Sequence, residues 1–445
     1  MKDFTQGSVV RHLLHMASFM AVSMLMQTLY LLADLYWVGR LGREAIAAVG
    51  VAGNLTMVVV ALSQALGVGA TALLAQAAGR KDQPEGERLF NQSFVISLLV
   101  GVLFCVVGFL VRDAYCHALS ADATTEALAK EYLSWFIPAL ALQFALVSLG
   151  SALRATGIIK PAVGFQVLSV VLNIVLAPLF IFGLGPLPRM GVSGAAVATF
   201  ISILIADVLM VFYFERYYHF LRFRAALWRP QFRIWWAMLK IGLPAGAEFA
   251  LFTLYAMIVY GIIAQFGAAA QAGFGVGMRV MQAMFLPVVA LSFAVGPVVG
   301  QNFGGRHADR VRHTVYAALG LASTLMIVLT ITTWLMAARL MRPFSSDPDV
   351  IAFGAEYLTI VSLNFLASGI AFSSSSVFQG LGNTLPPLLS TGSRLVLFAA
   401  PALWLSHRPG FQIRQVWYLS VASQVVQACL ILFLLRRELR RRLAW

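Results

Sequence analysis

Charge is scarce in this chain. Only 11% of its 445 residues are Asp, Glu, Lys or Arg, against roughly 25% in a soluble domain. Sixty per cent are hydrophobic, more than a water-soluble fold of this length can hide, so lipid must be the solvent for most side chains. Cysteine is scarcer still. Cys105, Cys116 and Cys429 lie far apart with no paired spacing, which argues against a disulfide framework and a cysteine zinc site and leaves small apolar packing as their role. His12 and His15 have no third metal ligand beside them. There is no G-x-x-x-x-G-K-[ST] loop to encode an ATP-driven cycle. H-E-x-x-H, C-x-x-C and a G-x-S-x-G with placed partners are missing too, so the chain reads as a non-enzyme. With no nucleotide site, an ion gradient is the simplest energy source.

The charges that are present are unevenly spread. The net charge of +14 invites a nucleic-acid reading, and position argues against it. With twelve spans and a cytoplasmic N-terminus, 21 of the 32 basic residues fall on the cytoplasmic side and Arg279 and Arg394 fall within spans. That is the positive-inside bias of an inner-membrane protein. It puts both termini in the cytoplasm, and the arginines of 436–442 against anionic lipid headgroups. The first apolar run, about residues 13–38, is too long for a signal-peptide core and reads as a retained span.

An apolar helix needs about 20 residues to cross the hydrocarbon. Twelve stretches qualify: 13–38, 47–77, 91–111, 130–153, 161–184, 193–215, 240–265, 272–300, 314–338, 355–378, 387–406 and 415–435. The chain is also written twice. Residues 42–161, moved forward by 225, fall on 267–386 without a gap. Gly42 meets Gly267, Gln76 meets Gln301, Glu131-Tyr132-Leu133 meets Glu356-Tyr357-Leu358, and Gly157-x-x-x-Pro161 meets Gly382-x-x-x-Pro386. The expected fold is therefore all-α, with twelve membrane helices in two six-helix lobes. An even number of spans per repeat relates the lobes by a pseudo-twofold axis along the membrane normal, so they can rock and expose a cavity to one side at a time. The reading divides the chain into an N-lobe (1–215), a basic cytoplasmic linker (216–239) and a C-lobe (240–445). Small residues crowd the second span of each half, among them Gly67, Gly69, Gly296 and Gly300, where they allow close helix approach.

An ionisable residue inside a span is costly and marks function by default. Asp34, Asp207, Glu248, Arg279 and Arg394 are the candidates. Asp34 lies near the C-terminus of its helix, where a carboxylate opposes the helix dipole. Gln27, Tyr30 and Asp34 share one face. Span five adds Gln166 and Asn173, and span six adds Thr199 and Asp207. These residues suggest a polar pocket in the first lobe whose acid exchanges a proton, since burial disfavours the charged form of a carboxyl. The blander alternatives are interfacial water at Asp34 and interhelical hydrogen bonding at Asp207. Glu248 follows Gly242-Leu243-Pro244 and either holds a cationic substrate or pairs with Lys240. For Arg279 and Arg394, ion pairing is preferred to contact with lipid phosphate.

The segments Tyr30-Leu-Leu-Ala-Asp34-Leu-Tyr-Trp-Val-Gly-Arg-Leu-Gly42, Glu44-Ala-Ile-Ala-Ala-Val-Gly50, Asn173-Ile-Val-Leu-Ala-Pro178, Gly191-Val-Ser-Gly-Ala-Ala-Val-Ala-Thr199 and the repeated Gln-x-x-Gly at 76–79 and 301–304 resemble the multidrug and toxic compound extrusion (MATE) family, nearest its DinF-type branch. The resemblance spans essentially the whole chain. It implies efflux of amphipathic, often cationic, drugs or toxic organic compounds in exchange for H+ or Na+, by a cofactor-free monomer with membrane lipids around it. It carries the essential acid onto Asp34, its polar neighbours onto Gln27 and Tyr30, and ion-pocket positions onto Asn173 and Thr199. From their places in the spans, Asp207 is a further ion-coupling candidate, and Gln27, Tyr30, Asp34 and Glu248 are candidate substrate contacts. Three positions depart from the family pattern. Ala177 replaces a second carboxylate before Pro178, which weakens a Na+ site. Phe19 replaces a proline that lets span one bend. Phe252 and the stretch around Ser368 replace acids found in NorM-type relatives. A lipid-linked-saccharide flippase of the wider superfamily is the alternative.

Overall fold

The computed structural model describes residues 1–183 and 188–444. Part of the turn-rich stretch 183–191, and Trp445, therefore lie outside the described residues. Thirteen α-helices run through the described residues with no strand among them. In chain order they are α1 (Val9–Gly39), α2 (Arg43–Gly79), α3 (Gln83–Leu119), α4 (Ala123–Ala155), α5 (Ile159–Phe182), α6 (Val192–Arg216), α7 (Phe232–Ile263), α8 (Ala268–Gly304), α9 (Ala308–Met341), α10 (Pro348–Val361), α11 (Asn364–Leu381), α12 (Leu385–Ser406) and α13 (Ile413–Arg442). Eleven are long and apolar enough to cross a membrane, and α10 with α11, bent by 56° at their junction, makes the twelfth span. Many large apolar side chains point outward, Leu31, Leu110, Leu335 and Phe433 among them. Lipid gives such a surface its partner. This is a multi-pass membrane protein.

The duplication is written into the backbone as well as the sequence. α2 and α8 have the same length and their bounds differ by 225. Asp122 caps α4 by accepting from the Thr125 amide at 2.8 Å, and Asp347, 225 residues on, caps α10 by accepting from the Asp349 amide at 2.9 Å. Such caps satisfy amides that a helix start leaves free. Lys81 and Arg306 share a φ of 59° and 58°, and Gly157 and Gly382 both stand at 77°.

The chain packs as two units. One comprises Met1–Asp3 and Phe19–Leu243, the other Phe4–Ser18 and Pro244–Trp445. The first helix of each repeat changes unit at an equivalent place, since 19 and 244 differ by 225. In the first unit, Asn91 and Gln92 at the start of α3 bind the basic segment before α7. Asn91 donates to Arg222 O and accepts from Arg224 N and Trp228 Nε1. Gln92 donates to Leu227 O and Arg229 O and accepts from Gln231 N. Two buried amides thus satisfy backbone groups of a segment with little helix of its own. In the second unit, Phe4 is held in a similar way, its amide donating to Gln301 and its carbonyl accepting from Asn302 and Arg310.

The span expected at 355–378 is not one helix. It breaks at Ser362-Leu363, between α10 and α11. Proline is not the cause: Pro138, the repeat counterpart of Leu363, sits inside the unbroken α4. The break is stabilised by side chains instead. The Thr330 hydroxyl is shared between the Met326 carbonyl at 2.8 Å and the Ser362 carbonyl at 3.1 Å, which also accepts from the Phe365 amide at 2.9 Å, and the Asn364 side-chain amide donates to Ser420 at 3.0 Å. In a membrane, backbone can leave the helix only where such partners exist.

The small residues of α2 carry the expected close approach. A Cβ on Gly242 would lie 1.7 Å from the Ala65 carbonyl oxygen, and one on Gly69 would lie 2.2 Å from that of Met238. α2 and the start of α7 therefore meet backbone to backbone. Gly242→Val should destabilise the protein by about 3 kcal/mol or more, since overpacking against rigid backbone costs at least ~1–3 kcal/mol. Gly261→Ala, whose Cβ would meet nothing within 4 Å, should be neutral or stabilising by up to about 1 kcal/mol. Thermal unfolding of the purified protein in detergent checks both.

Candidate functional site

In the first unit three helices bring polar side chains to one hydroxyl. Tyr30 and Asp34 stand one turn apart on α1, Asn173 lies on α5 and Thr199 on α6. Asn173 Nδ2 donates to Thr199 Oγ1 at 3.0 Å, and Tyr30 Oη lies 3.0 Å from the same oxygen. Thr199 spends its own proton on the Ala195 carbonyl at 3.1 Å. A hydroxyl has one proton to give and two lone pairs to accept with. The Tyr30 proton therefore points at Thr199, which leaves it unavailable to Asp34.

That assignment defines the state of the acid. Asp34 is 7% exposed, and its Oδ1 is buried with no hydrogen-bond partner. Asn173 Oδ1 is buried and unpartnered as well. Tyr30 and Tyr132 lie within electrostatic reach of Asp34, and among the described residues no basic side chain forms an ion pair with it. Two acceptor oxygens thus stand without donors in an apolar bundle. A bare carboxylate there is costly, and taking up a proton or a small cation removes the deficit.

Other first-lobe candidates fall outside this cluster. Asp207 on α6 is also 7% exposed, with both carboxyl oxygens buried and unpartnered. It takes no hydrogen bond from the Tyr30, Asn173 and Thr199 cluster, so it is a separate buried acid. Gln166 hydrogen-bonds Ser23 further along α1. Gln27 is exposed and takes no part.

Glu248 anchors a second cluster, wholly within the other unit. Its Oε2 accepts from Ser375 at 2.8 Å and its Oε1 from Thr391 at 3.2 Å. Gln427 donates to Thr391 at 3.0 Å, and Gln424 donates to Gln427 at 3.1 Å. Every donor in the chain points towards the carboxyl. A cavity about large enough for one water is lined by Glu248, Phe252, Ser368, Ala371, Phe372, Gln424 and Gln427. The positions where the family pattern expected acids, 252 and 368, therefore face the same space as Glu248. Two sequence expectations need correction. Glu248 bonds to hydroxyls rather than Lys240. Arg394 forms no ion pair; its guanidinium lies 4.4 Å from the centroid of the Tyr255 ring. Arg279 is exposed on α8.

Sequence reasoning missed Ser375, Thr391, Gln424 and Gln427, yet the repeat holds part of the signal. Ser23 and Gln166, moved by 225, become Glu248 and Thr391, and both pairs are hydrogen-bonded. Tyr30 becomes Tyr255, whose hydroxyl lies 2.7 Å from Ser420 as that of Tyr30 does from Thr199 at 3.0 Å. Among the described residues, no group of three or more His, Cys, Asp or Glu could hold a metal ion.

A duplicated bundle of apolar helices, with two unpartnered acids buried in the first half and a hydrogen-bonded one in the second, has the character of a membrane transporter. The chain belongs to the MatE family, whose model matches residues 20–179 and 244–405. It is a MATE family transporter and not an enzyme. It is 30% identical over 85% of its length, and 86% of the relative's, to the probable multidrug resistance protein YpnP of Bacillus subtilis (strain 168). It is 26% identical over 83% of its length, and 82% of the relative's, to the FAD transporter of Shewanella oneidensis (strain MR-1). Its fold matches a MATE crystal structure in a bent conformation with a TM-score of 0.92 at 24% identity, over 99% of this chain and 97% of that one.

Thr199→Val removes the acceptor shared by Tyr30 and Asn173. It should destabilise the protein by about 1–3 kcal/mol, the usual cost of leaving buried donors unpaired, and Thr199→Ser should recover most of the loss. Thermal unfolding in detergent distinguishes the two.

Proposed function

We propose that this protein is a secondary active multidrug antiporter that exports amphipathic, cationic compounds from the cytoplasm across the inner membrane by alternating access, in exchange for protons. The reading treats 1–215 and 240–445 as its lobes, joined by a cytoplasmic linker at 216–239, with both termini in the cytoplasm and the monomer as the working form. Asp34 carries it: a buried acid with an unpartnered oxygen and no ion pair among the described residues. Loading that oxygen with a proton changes the charge of the first-lobe cluster. Asn173 and Thr199 tie α5 and α6 to Tyr30 on the same helix, so a change at Asp34 is felt by three helices. Asp207 is a second proton acceptor on α6, and Glu248 is an anchor for a cationic group. Relatives named as multidrug resistance or export proteins support the choice of cargo.

A proton is favoured over sodium by the oxygen count. A sodium ion is held by several oxygens, whereas a proton needs one base. Ala177, fully buried before Pro178, supplies none, which leaves Asp34 Oδ1 and Asn173 Oδ1 as the free acceptors there.

Asp34→Asn should abolish efflux of a cationic dye from proteoliposomes under an imposed pH gradient, a loss of at least about tenfold, while expression and the thermal midpoint stay near wild type. Full transport by that variant would remove Asp34 from coupling. Wild-type transport should persist in sodium-free vesicles, and a strict sodium requirement would overturn the proton assignment.

A further inference from the structure

We propose that Arg394, framed by Tyr255 and Tyr357 inside the C-terminal unit, binds an anionic group of carboxylate or phosphate type. This deepens the transport reading by adding a negatively charged group to the cargo, and it rests on that reading only for the transport step.

The two halves use one frame for opposite charges. Tyr30 and Tyr132 stand near Asp34. Their counterparts 225 residues on, Tyr255 and Tyr357, stand near Arg394. A similar polar group surrounds each tyrosine, although its asparagine comes from a different helix of the repeat, α5 in the first half and α11 in the second. In the first half a tyrosine hydroxyl and an asparagine amide converge on Thr199. In the second, Tyr255 and Asn364 converge on Ser420, at 2.7 and 3.0 Å. In each half the asparagine oxygen is buried without a partner. The acid itself is not repeated, because Val259 takes the place of Asp34.

Arg394 is 8% exposed, and its Nε is buried with no partner. A guanidinium keeps its charge in proteins, so it cannot escape burial by losing a proton. Among the described residues no carboxylate pairs with it. Glu356, adjacent to Tyr357, is engaged by Arg414 at 2.8 Å, and Glu248 is bonded to Ser375 and Thr391. Tyr255 engages the cation through its ring face and a side-chain hydrogen bond but brings no negative charge. A buried charge lacking a counter-charge is destabilising. The planar fork of donors matches an oxyanion, which supplies the charge and the missing acceptor together.

The test uses the full-length protein in nanodiscs of phosphatidylcholine, with fluorescein as an anionic aromatic probe read by anisotropy. Saturable binding, displaced by sodium acetate or phosphate at fixed ionic strength, is expected for the wild type. Arg394→Gln should weaken it at least about tenfold with an unchanged thermal midpoint. Displacement by phosphatidylglycerol in the disc, but not by free acetate or phosphate, would assign the anion to a lipid headgroup; the reverse assigns it to a solute. Absence of saturable binding, or wild-type affinity in Arg394→Gln, overturns the proposal. Should that variant fail to fold, Arg394→Lys keeps the charge and loses the fork. A loss of about threefold or more is then expected, and unchanged affinity overturns the proposal. The assay reads binding alone, so a failure of dye efflux would strike the transport reading without touching this result, and the converse holds.

Discussion

In hydrocarbon a polar group must find its partner within the protein, and the architecture follows from that constraint. Backbone groups meet it by being helical, which is why thirteen helices and no strand occur among the described residues. Where backbone leaves the helix, side chains add partners: Thr330 to the Ser362 carbonyl beside the Phe365 amide, and Asn91 and Gln92 to the segment before α7. Charged groups follow the same rule at the edges. Glu87, nearly buried, is paired with Arg224 at 2.7 Å. Against this background the unpartnered atoms of Asp34, Asp207 and Arg394 are exceptions, and exceptions of that cost mark candidate functional sites.

Duplication then explains how one chain builds related but unequal sites. The offset of 225 preserves what holds the helices: caps at Asp122 and Asp347 and turns at Gly157 and Gly382, while the hydroxyl bonded by a tyrosine in each half recurs at a spacing of 221, from Thr199 to Ser420. It does not preserve the charges. Asp34 faces Val259 across the repeat, and Ser23 faces Glu248. Packing constrains a scaffold residue in both halves alike, whereas a functional charge answers to local chemistry. Divergence is therefore concentrated at the sites.

The parts of the fold that depend on apolar length and on repeat offset were legible in the sequence. Twelve spans and the turn positions follow from runs of about 20 residues and from matched glycines. The break in the tenth span was not legible, because nothing in the hydropathy of 355–378 marks it. The side chains that bond to it are a threonine on α9 and a serine on α13, both distant in sequence. The same limit applies to the sites. Asp34, Tyr30, Asn173 and Thr199 were chosen by helix spacing and resemblance, and the structure brings the last three into hydrogen-bonding contact with Asp34 one turn from Tyr30. Gln27 satisfies the same spacing and is exposed, because a shared face over two turns does not fix which part of it packs inward. The partners of Glu248 come from α11, α12 and α13, a convergence that only tertiary structure reveals.

The direction of the hydrogen bonds separates the two acids more sharply than burial does. Glu248 receives two hydroxyl protons at the end of a donor chain from Gln424 through Gln427 and Thr391. Its negative charge is thus supported from within, as hydrogen bonds to the charged form do. Asp34 has no such support. Its near neighbour Tyr30 has turned its proton to Thr199, whose own proton is committed to Ala195. On the proposed antiport reading, Asp34 gains and loses a charge-neutralising partner while Glu248 offers its accepting oxygens to a cationic group. Such an exchanger uses two kinds of group, one that anchors cargo and one that switches with the coupling ion. Placing them in different repeats lets each be tuned without disturbing the other.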